Sequence, residues 1–508
     1  MASKSAVTLP KHTKSQYHHF IPRFILRNFT HPYQPPDGPS KGTKSRNRRR
    51  KGGKHQPNEP MLYTLDLSTP KPAIIETAVG RTFGLTDMYR DFSDATNQHY
   101  LEEQLSKLES RAAEIITKVR KAFESQKRDL WLIRAERDIL RKFLFIMKYR
   151  GSLMHCRFYH EGAEGYNADD REKLLQYMQE KGFKKPVDVW FDNIKGMLEL
   201  KMDPECHWMR DLRERIYPDD AMWFIVNTQK MYLAFCTTSN EDDEFLLTEN
   251  AYSIHEGPNS YWINSHTGEH TPTAYTEYHV FAVISPKLIM VLRSDLLPVP
   301  EEDNNVEISN WRKTMYQLNI DQHNYPLSSG SVLADLPIAK PRNSYSKIVD
   351  GSLVLLEGED GTHRADHRFC FRFFPLETHH VNKISTIMLE ESTGISHIVF
   401  RSYSVARKTF EHYLSLPVES GFKYVSSVPG ASEDPRVVFL KKLEEAVKMM
   451  GSSVQASYQP RGAEFMVERE NEAWGELLEQ NLPKDPTEFM KLYMNLGEQM
   501  LYKIEVIS

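Results

Sequence analysis

The chain has 508 residues, of which 65 are lysine or arginine and 69 are aspartate or glutamate, and 40% of its residues are hydrophobic. This is the composition of a globular protein, so it excludes collagen-like, low-complexity and wholly disordered chains. The mean hydropathy of −0.56 and the lack of an apolar run of bilayer length argue against a membrane protein.

Residues 41–54 (KGTKSRNRRRKGGK) concentrate the positive charge. They hold eight cations and no anion, so of the net charge of −4 the other 494 residues carry −12. Repulsion between like charges predicts that the surrounding stretch, 34–60, is a disordered insertion. Such a tract is typical of a nuclear-import signal or of a contact with nucleic acid or another acidic partner. The alternative is a passive, solvated loop.

The N-terminus and the cysteines indicate the compartment. The first twenty residues contain no apolar stretch of signal-peptide length, which argues against secretion. The chain has four cysteines, and no two of them have metal-ligand spacing. We therefore expect a reduced intracellular protein, cytoplasmic or nuclear, whose cysteines are packing residues.

In chain order, the first clear elements are a strand and two helices. Residues 61–67 (MLYTLDL) alternate as a strand does, and an apolar stripe at helical spacing predicts a helix over 97–126. Asp129 is a plausible N-cap for a second helix, which should end near Arg150. Because the connection is so short, the two helices should form an antiparallel hairpin.

The remaining chain is mixed. A helix is predicted over 170–181, strands over 222–255 and 275–294, irregular loops over 297–366, and helices over 381–391 and 404–416, followed by three helices from 433 onward. The predicted class is α+β, in which the hairpin packs with a small, mostly antiparallel sheet and a helical C-terminal region follows. The predicted units are a core domain over 15–295, a loop-rich and helical extension over 296–430, and a helical tail over 431–508.

Three groups of residues resemble metal sites. His266-Thr-Gly-Glu-His270 matches the H-x-x-E-H pattern of some zinc proteases, which requires a stable helix. Gly268 and Pro272 predict a loop instead, so we interpret the match as chance. The same interpretation, a solvated loop, applies to Asp360, His363, Asp366, His367 and Cys370, and the pair His379-His380 is equally unspecific. The chain contains no P-loop, no G-x-G-x-x-G after a strand and no G-x-S-x-G elbow.

The stretch from Gln16 to Phe29 reads QYHHFIPRFILRNF. It resembles the opening signature of an uncharacterised family, domain of unknown function 4238, whose members begin with a sequence like HHYVPQFYLRNF. The matching positions are His19, Pro22, Phe24, Leu26, Arg27 and Phe29. The resemblance covers residues 15–295 and, more faintly, residues up to 415, and it implies no known activity.

Later motifs of that family occur here in altered form. Its two glutamates seven residues apart are matched by Glu102 and Glu109. The arginine of its Q-x-x-R motif is matched by Arg150, but Met147 replaces the glutamine. A T/S-S-D-N-P motif becomes LTENA over residues 247–251, so glutamate replaces aspartate and the proline is lost. These changes imply that any ancestral activity is altered in this chain.

These positions suggest one polar pocket. The candidate catalytic residues are His19, Glu102, Glu109, Glu249 and Asn250, and the candidate substrate-binding residues are Arg27 and Arg150. An imidazole with several carboxylates can hold a divalent metal or perform acid–base chemistry, and the proposed metal ligands are His19, Glu102 and Glu109. The first hypothesis is therefore a metal-assisted hydrolase that acts on nucleic acid.

The second hypothesis is a non-enzymatic binding or scaffold protein. At 100° per residue, Glu102 and Glu109 lie on one flank of the apolar stripe of their helix, whereas Glu103 should be solvated. Cations at 134, 141 and 148 line one flank of the second helix. With residue i opposite about 255 − i, Glu109 would lie near 147–148 and Glu102 near 150–153. The same residues would then form structural ion pairs along the hairpin.

Overall fold

The computed structural model describes residues 15–33, 58–92, 97–263, 270–325, 328–418, 423–426 and 433–461. Within these ranges the chain forms twelve helices and twenty strands. Most of the paired strands are antiparallel. The predicted α+β class is confirmed.

The helices differ widely in length. In chain order they are α1 Arg23–Leu26, α2 Tyr100–Glu124, α3 Arg134–Tyr149, α4 Ser152–Phe158, α5 Arg171–Lys181, α6 Pro186–Glu199, α7 Trp208–Arg215, α8 Pro218–Gln229, α9 Val306–Asp321, α10 Thr378–Glu390, α11 Tyr403–Ser415 and α12 Pro435–Met449. The longest of these described helices is α2, with 25 residues.

The strands are mostly short. In chain order they are β1 Tyr17–His19, β2 His31–Pro32, β3 Pro60–Asp66, β4 Ala73–Ala78, β5 Gly84–Thr86, β6 Asp129–Ile133, β7 Met231–Thr238, β8 Leu247–Thr248, β9 His255–Glu256, β10 Asn259–Ile263, β11 His270–Tyr275, β12 His279–Ser285, β13 Leu288–Ser294, β14 Arg342–Asn343, β15 Ser346–Val349, β16 Ser352–Leu355, β17 Arg368–Leu376, β18 His397–Phe400, β19 Tyr424–Ser426 and β20 Gln459–Arg461.

Two sheets carry most of the strands, rather than the one small sheet that the sequence predicts. The larger has seven strands in the order β14-β17-β7-β13-β12-β9, with β6 also paired to β17. Among its described pairs, only β17 and β7 are parallel. The second has five strands in the order β2-β3-β18-β8, with β4 also paired to β3. Since β3 pairs with β18, the N-terminal segment and residues near 400 share a sheet.

The hairpin of α2 and α3 is antiparallel. Lys118 pairs with Glu136 at 3.1 Å near the turn, and Glu109 pairs with Arg150 at 2.6 Å at the far end. The apolar faces of both helices belong to the main hydrophobic core, which also contains β7, β12 and β13. A second core joins β3 and β18 to α11 and α12. The boundaries of the three predicted units remain a prediction.

The predicted start of the second helix is wrong. Residues 129–133 form β6, which pairs with β17, and the helix begins at Arg134. The backbone N–H of Ile133 donates to the carboxylate of Glu136 at 2.9 Å, which fixes this start. The reason is an alternation that the helical interpretation overlooked, because Leu132 is buried while Trp131 and Ile133 are about 40% exposed.

Two other predicted elements are also wrong. The segment 222–229 (MWFIVNTQ) lies in α8, not in a strand, since Pro218 and two aspartates occupy the first turn. The stretch 297–366, predicted as loops, contains α9. The side chain of its N-cap, Asn305, accepts hydrogen bonds from the backbone N–H groups of Glu307 and Ile308.

Several predicted elements are confirmed, among them the strand over 61–67 and the helices over 170–181, 381–391 and 404–416. Of the three predicted C-terminal helices, α12 is present and the two over 470–480 and 488–500 lie outside the described residues. The basic tract 41–54 and residues 266–269 of the H-x-x-E-H match also lie outside them. The described part of the chain contains no helix with the length and apolar character that a bilayer crossing requires.

Candidate functional site

The site begins with a strand that requires a glycine opposite it. Tyr17, His18 and His19 form β1, and His19 pairs with Gly84 of β5. A Cβ atom at Gly84 would overlap the carbonyl oxygen of His18 and the ring of Tyr17. Adjacent strand residues point to opposite faces, so the two histidines have two different surroundings.

His19 is half-buried and its tautomer is fixed. Its Nδ1 lies 3.0 Å from the carbonyl oxygen of Thr82, and a carbonyl can only accept, so Nδ1 carries the proton. The lone pair is then on Nε2, which has no hydrogen-bond partner among the described residues. Burial lowers the pKa of His19, and the nearby cations Arg23 and Arg150 lower it further, against the hydrogen bond to Thr82. The imidazole is therefore a neutral acceptor near pH 7.

Glu109 and Arg150 form the centre of the cluster. Arg150 is only 1% exposed, and its Nη2 lies 2.6 Å from Oε1 of Glu109. The guanidinium also lies 5.6 Å from the ring centre of Tyr89, whose hydroxyl donates to the Arg150 carbonyl oxygen at 3.0 Å. Burial lowers the pKa of Arg150, but the negative groups around it more than offset this and the pKa is raised. This arginine is charged and paired with Glu109, and its Nε has no hydrogen-bond partner among the described residues.

Glu102 lies seven residues, about two helical turns, before Glu109 on the same flank of α2. It is half-buried, as the helical geometry predicts, and Glu103 is exposed. Burial raises the pKa of Glu102, Arg150 lowers it and Glu109 raises it, with a net increase. Its carboxylate makes no hydrogen bond within the described part of the chain. Glu102 is thus a carboxyl group with an increased tendency to keep its proton.

Glu249 approaches the same strand from the side of Tyr17. Its carboxylate accepts hydrogen bonds from the N–H of Ser396, at 2.7 Å, and from the Ser396 hydroxyl. Burial raises the pKa of the Tyr17 phenol and the charge of Glu249 contributes to that increase. The Tyr17 ring lies 5.1 Å from the His19 ring. Glu249 thus acts on Tyr17 through its charge, and its hydrogen bonds are made to Ser396.

Asn250 and Arg27 are not brought into the cluster. The Asn250 side chain donates to the carbonyl oxygen of Glu391 at 2.7 Å and accepts from the Thr248 hydroxyl at 2.9 Å. Arg27 is exposed at the end of α1 and forms no ion pair among the described residues. The structure groups His19, Glu102, Glu109 and Arg150, with Glu249 at the edge.

Sequence reasoning missed a second histidine pair on the other side of β1. The Nδ1 atom of His18 accepts a hydrogen bond from the Tyr89 N–H at 3.0 Å, so its Nε2 is an N–H donor. That atom is buried without a partner in the described residues, and so are both ring nitrogens of His99. The rings of His18 and His99 lie 6.5 Å apart. The double histidine of the opening motif was a signal for His18, and His99 lies outside that motif.

The predicted row of ion pairs along α3 is wrong. Arg134 and Arg141 are buried, and their guanidinium groups donate to the carbonyl oxygens of Arg364 and Met231 rather than to glutamates of α2. Lys148 forms its ion pair with Glu277. Between α2 and α3 the described pairs are Lys118–Glu136 and Glu109–Arg150 only. Heptad spacing placed these cations on one face, and that face points away from α2.

Donor atoms suited to a metal ion lie within 4.8 Å of one another in two groups of described residues. These groups are Asp335, His379 and His380, and Asp203, Glu205 and His207. The set of His19, Glu102 and Glu109 is not one of them. A cation bound by that set would require its side chains to rotate toward one another.

The sequence motifs that form this site, from His18-His19 in β1 to the altered LTENA segment over 247–251, agree with one known family. The family described as Protein of unknown function (DUF4238) matches residues 17–404. The chain belongs to this family. No curated protein and no solved structure matches the chain.

The DUF4238 match confirms the resemblance in the opening motif and covers nearly all of the stretch over which the sequence resembles the family. It begins at Tyr17 of β1 and ends at Ser404 of α11, so it includes every residue of the candidate site. It also includes residues 297–366, where the sequence resemblance is faint. Helix α12 lies beyond it.

Proposed function

We propose that this DUF4238 chain is a hydrolase that cleaves phosphodiester bonds of nucleic acid, with His19 as general base and Glu102 as general acid. The observation that carries the proposal is the fixed tautomer of His19. Its Nδ1–H is held by Thr82, which leaves the Nε2 lone pair available for a proton from water. A backbone carbonyl orients catalytic imidazoles in this way in many sites.

The pKa directions support the division of roles. The productive state requires a neutral His19 and a protonated Glu102. Burial lowers the pKa of His19 and raises that of Glu102, so both shifts increase the population of that state. Environments that move two titratable groups in this complementary way are typical of acid–base pairs. Both groups interact with the charge of Arg150, which supports a shared role for them.

The charges nearby favour an anionic substrate. Arg23 lies in the short helix that follows β1, Arg27 comes directly after it, and both are exposed. Burial lowers the pKa of His19, and the charge of Arg23 lowers it further. These two arginines, rather than the buried Arg150, are the groups that can contact phosphate from solvent. Arg150 and Glu109 position Glu102, and Glu249 positions His19 through Tyr17.

A divalent metal bound by His19, Glu102 and Glu109 is an optional part of this proposal, in addition to the acid–base roles of the side chains. It would supply a polarised water and neutralise the phosphate. Because these donors are not one of the groups within 4.8 Å among the described residues, the acid–base steps are assigned to the side chains alone. Activity that rises on addition of Mg²⁺ or Mn²⁺ would favour the metal-assisted form.

The test is cleavage of labelled single-stranded DNA, double-stranded DNA and RNA by the purified full chain. We expect His19→Gln to lower kcat/KM by about 10² or more. The matched control is His160→Gln, since the His160 ring is also half-buried and also bonds to a backbone carbonyl, that of Arg157, at 3.1 Å. It should change kcat/KM by less than about threefold.

The pH profile of kcat/KM should rise as His19 loses its proton and fall as Glu102 loses its own. Glu102→Gln should remove the falling limb. A wild-type chain that cleaves none of the three substrates, or a His19→Gln variant with unchanged activity, would contradict the proposal.

A second function, a non-enzymatic binding or scaffold protein, is favoured by one observation. Arg150 is fully enclosed and paired to Glu109 at 2.6 Å, which is the geometry of a structural ion pair. In this case the cluster stabilises the junction of β1 with the hairpin, and the basic tract 41–54 reaches an acidic partner in the cytoplasm or nucleus.

A further inference from the structure

The first turns of α3 carry three arginines on one side. Arg134, Arg137 and Arg141 are 6%, 7% and 8% exposed. They are three and four residues apart, so they lie on one face of the helix. All three line one cleft with Asp138, and the rest of its lining is Met202, Asp203, Pro204, Cys206, Trp208, Gln229 and His363. Three nearly enclosed guanidinium groups therefore share one opening.

The carboxylates at this cleft do not balance that charge. Asp138 pairs with Arg137 at 3.1 Å. Asp203 also lines the cleft, but its oxygens accept the N–H groups of His207 and Trp208, each at 2.9 Å, at the start of α7. Two carboxylates therefore line the cleft with three arginines, and among the described residues Arg137–Asp138 is the one ion pair that these arginines form.

Burial, and after it the charge of a neighbouring arginine, lowers the pKa values of Arg141 and Arg134. Burial lowers the pKa of Arg141 to about 9, and the charge of Arg137 adds to this effect, against Asp138 and Asp295. The pKa of Arg134 is lowered by burial and then by Arg137. Asp295 is itself paired to Lys340 at 3.1 Å. The like charges in the cleft are thus close enough to repel one another.

Part of the hydrogen-bonding capacity is also unused. Nη2 of Arg134 and Nε of Arg141 are buried and have no hydrogen-bond partner among the described residues. Their hydrogen bonds to the backbone go to the carbonyl oxygens of Arg364 at 3.1 Å and Met231 at 3.4 Å, and the Tyr345 side chain also interacts with Arg134. Buried guanidinium N–H groups normally have an acceptor. A ligand bound in the cleft can supply the acceptor that these two N–H groups lack.

We propose that this cleft binds a phosphate group, either as free phosphate or as part of a nucleotide. Guanidinium forks match phosphate oxygens in pairs, and a phosphate offers enough oxygens for more than one arginine. A dianion would also remove the repulsion among Arg134, Arg137 and Arg141. At 1.5 Å per residue along α3, Arg141 is about 13 Å from Arg150, so this cleft is separate from the site of the proposed hydrolysis.

The first experiment measures thermal unfolding and calorimetric binding of the full chain with inorganic phosphate and with AMP. Ionic strength is held constant with sodium chloride. We expect phosphate at saturating concentration to raise Tm by about 2 °C or more over chloride. Tighter binding of AMP identifies a nucleotide as the source of the group, and equal binding identifies free phosphate. Equal Tm values in phosphate and chloride would overturn the proposal.

The second experiment separates a ligand site from a structural cluster. Arg141→Met keeps most of the length of the side chain and removes one repelling charge, so Tm without phosphate should not fall, while phosphate affinity should fall about tenfold or more. The control is Lys142→Met, which removes a buried cation of the same helix whose Nζ donates to Leu198 and Leu200 carbonyl oxygens at 2.6 and 2.9 Å.

Lys142→Met should lower Tm and leave phosphate affinity unchanged. If Arg141→Met does not fold, Arg137→Gln decides the question, with the same expected loss of phosphate affinity. Phosphate binding that persists at wild-type affinity in the arginine variants, or that is lost equally in Lys142→Met, would show that the arginines are structural.

Discussion

Glu102 and Glu109 occupy the same flank of α2 but differ in what they contribute to stability. Glu109 is the carboxylate in contact with the enclosed Arg150, so Glu109→Gln leaves a buried guanidinium without its closest anion. We expect a loss of about 1–3 kcal/mol in the free energy of unfolding. Burial and Glu109 raise the pKa of Glu102, so its ionised form is disfavoured in the folded state, and Glu102→Gln should be neutral or stabilising at pH 7.

Urea denaturation at pH 7 measures both variants, and Glu114→Gln, at an exposed position of the same helix, is the control. Because the pKa of Glu102 is raised in the folded state, its contribution to wild-type stability should increase as pH falls toward that pKa, and Glu102→Gln should lose this dependence. Glu109→Gln with unchanged stability would identify Glu109 as a site residue rather than a structural one. A marked loss in Glu102→Gln would contradict the role given to its environment.

Single residues of the site could be predicted in part. Helical geometry alone placed Glu102 and Glu109 at the edge of the buried face, and the opening motif identified His19. The orientation of Arg27 and the bonds of Asn250 depend on tertiary neighbours that no local pattern contains. His18 was missed because adjacent strand residues face opposite sides, and only its own surroundings reveal an unused donor.

At the scale of elements, errors came from segments in which two periods compete. In β6 the alternation of buried and exposed residues covers five positions only, and the longer apolar stripe of α3 follows directly, so one helix is predicted over both segments. In α8 a run of aromatic and β-branched residues resembled a strand, although Pro218 and the acidic first turn are start signals of a helix. The expected hairpin register of 255 − i agrees with Lys118–Glu136, whereas the reach of Arg150 extends the pairing to Glu109.

Helix α9 is an element whose start signal can be tested. The Asn305 side chain accepts hydrogen bonds from the N–H groups of Glu307 and Ile308 at 3.0 and 3.2 Å. Asn305→Ala should therefore lower the free energy of unfolding by about 1 kcal/mol. Asn310→Ala, at an exposed position inside the same helix, should be neutral or slightly stabilising because alanine is the better helix former. Equal effects of the two substitutions in urea denaturation would contradict the capping role.

At the scale of the whole molecule, charge is distributed unevenly, and this bears on the proposal that the chain acts on nucleic acid. The eight cations of residues 41–54 stand against −12 on the other 494 residues. General attraction of nucleic acid to the rest of the surface is therefore disfavoured, and the proposed contact would be local. The tract lies outside the described residues, and its three candidate roles are an import signal, a binding segment and a passive loop.

Replacing the eight cations of 41–54 with glutamine preserves the length of the segment and removes its charge. We expect affinity for single-stranded DNA to fall at least about tenfold at low salt, and the slope of log K against log salt to become less steep by several units, since each phosphate contact releases counterions. A shuffled tract that keeps all eight cations should bind as the wild type does, because charge and not order provides the attraction. Nuclear accumulation of a fluorescent fusion should fall with the same replacement. Unchanged DNA affinity, salt slope and location in the glutamine variant would establish the tract as a passive loop, and would leave Arg23 and Arg27 as the groups that attract an anionic substrate.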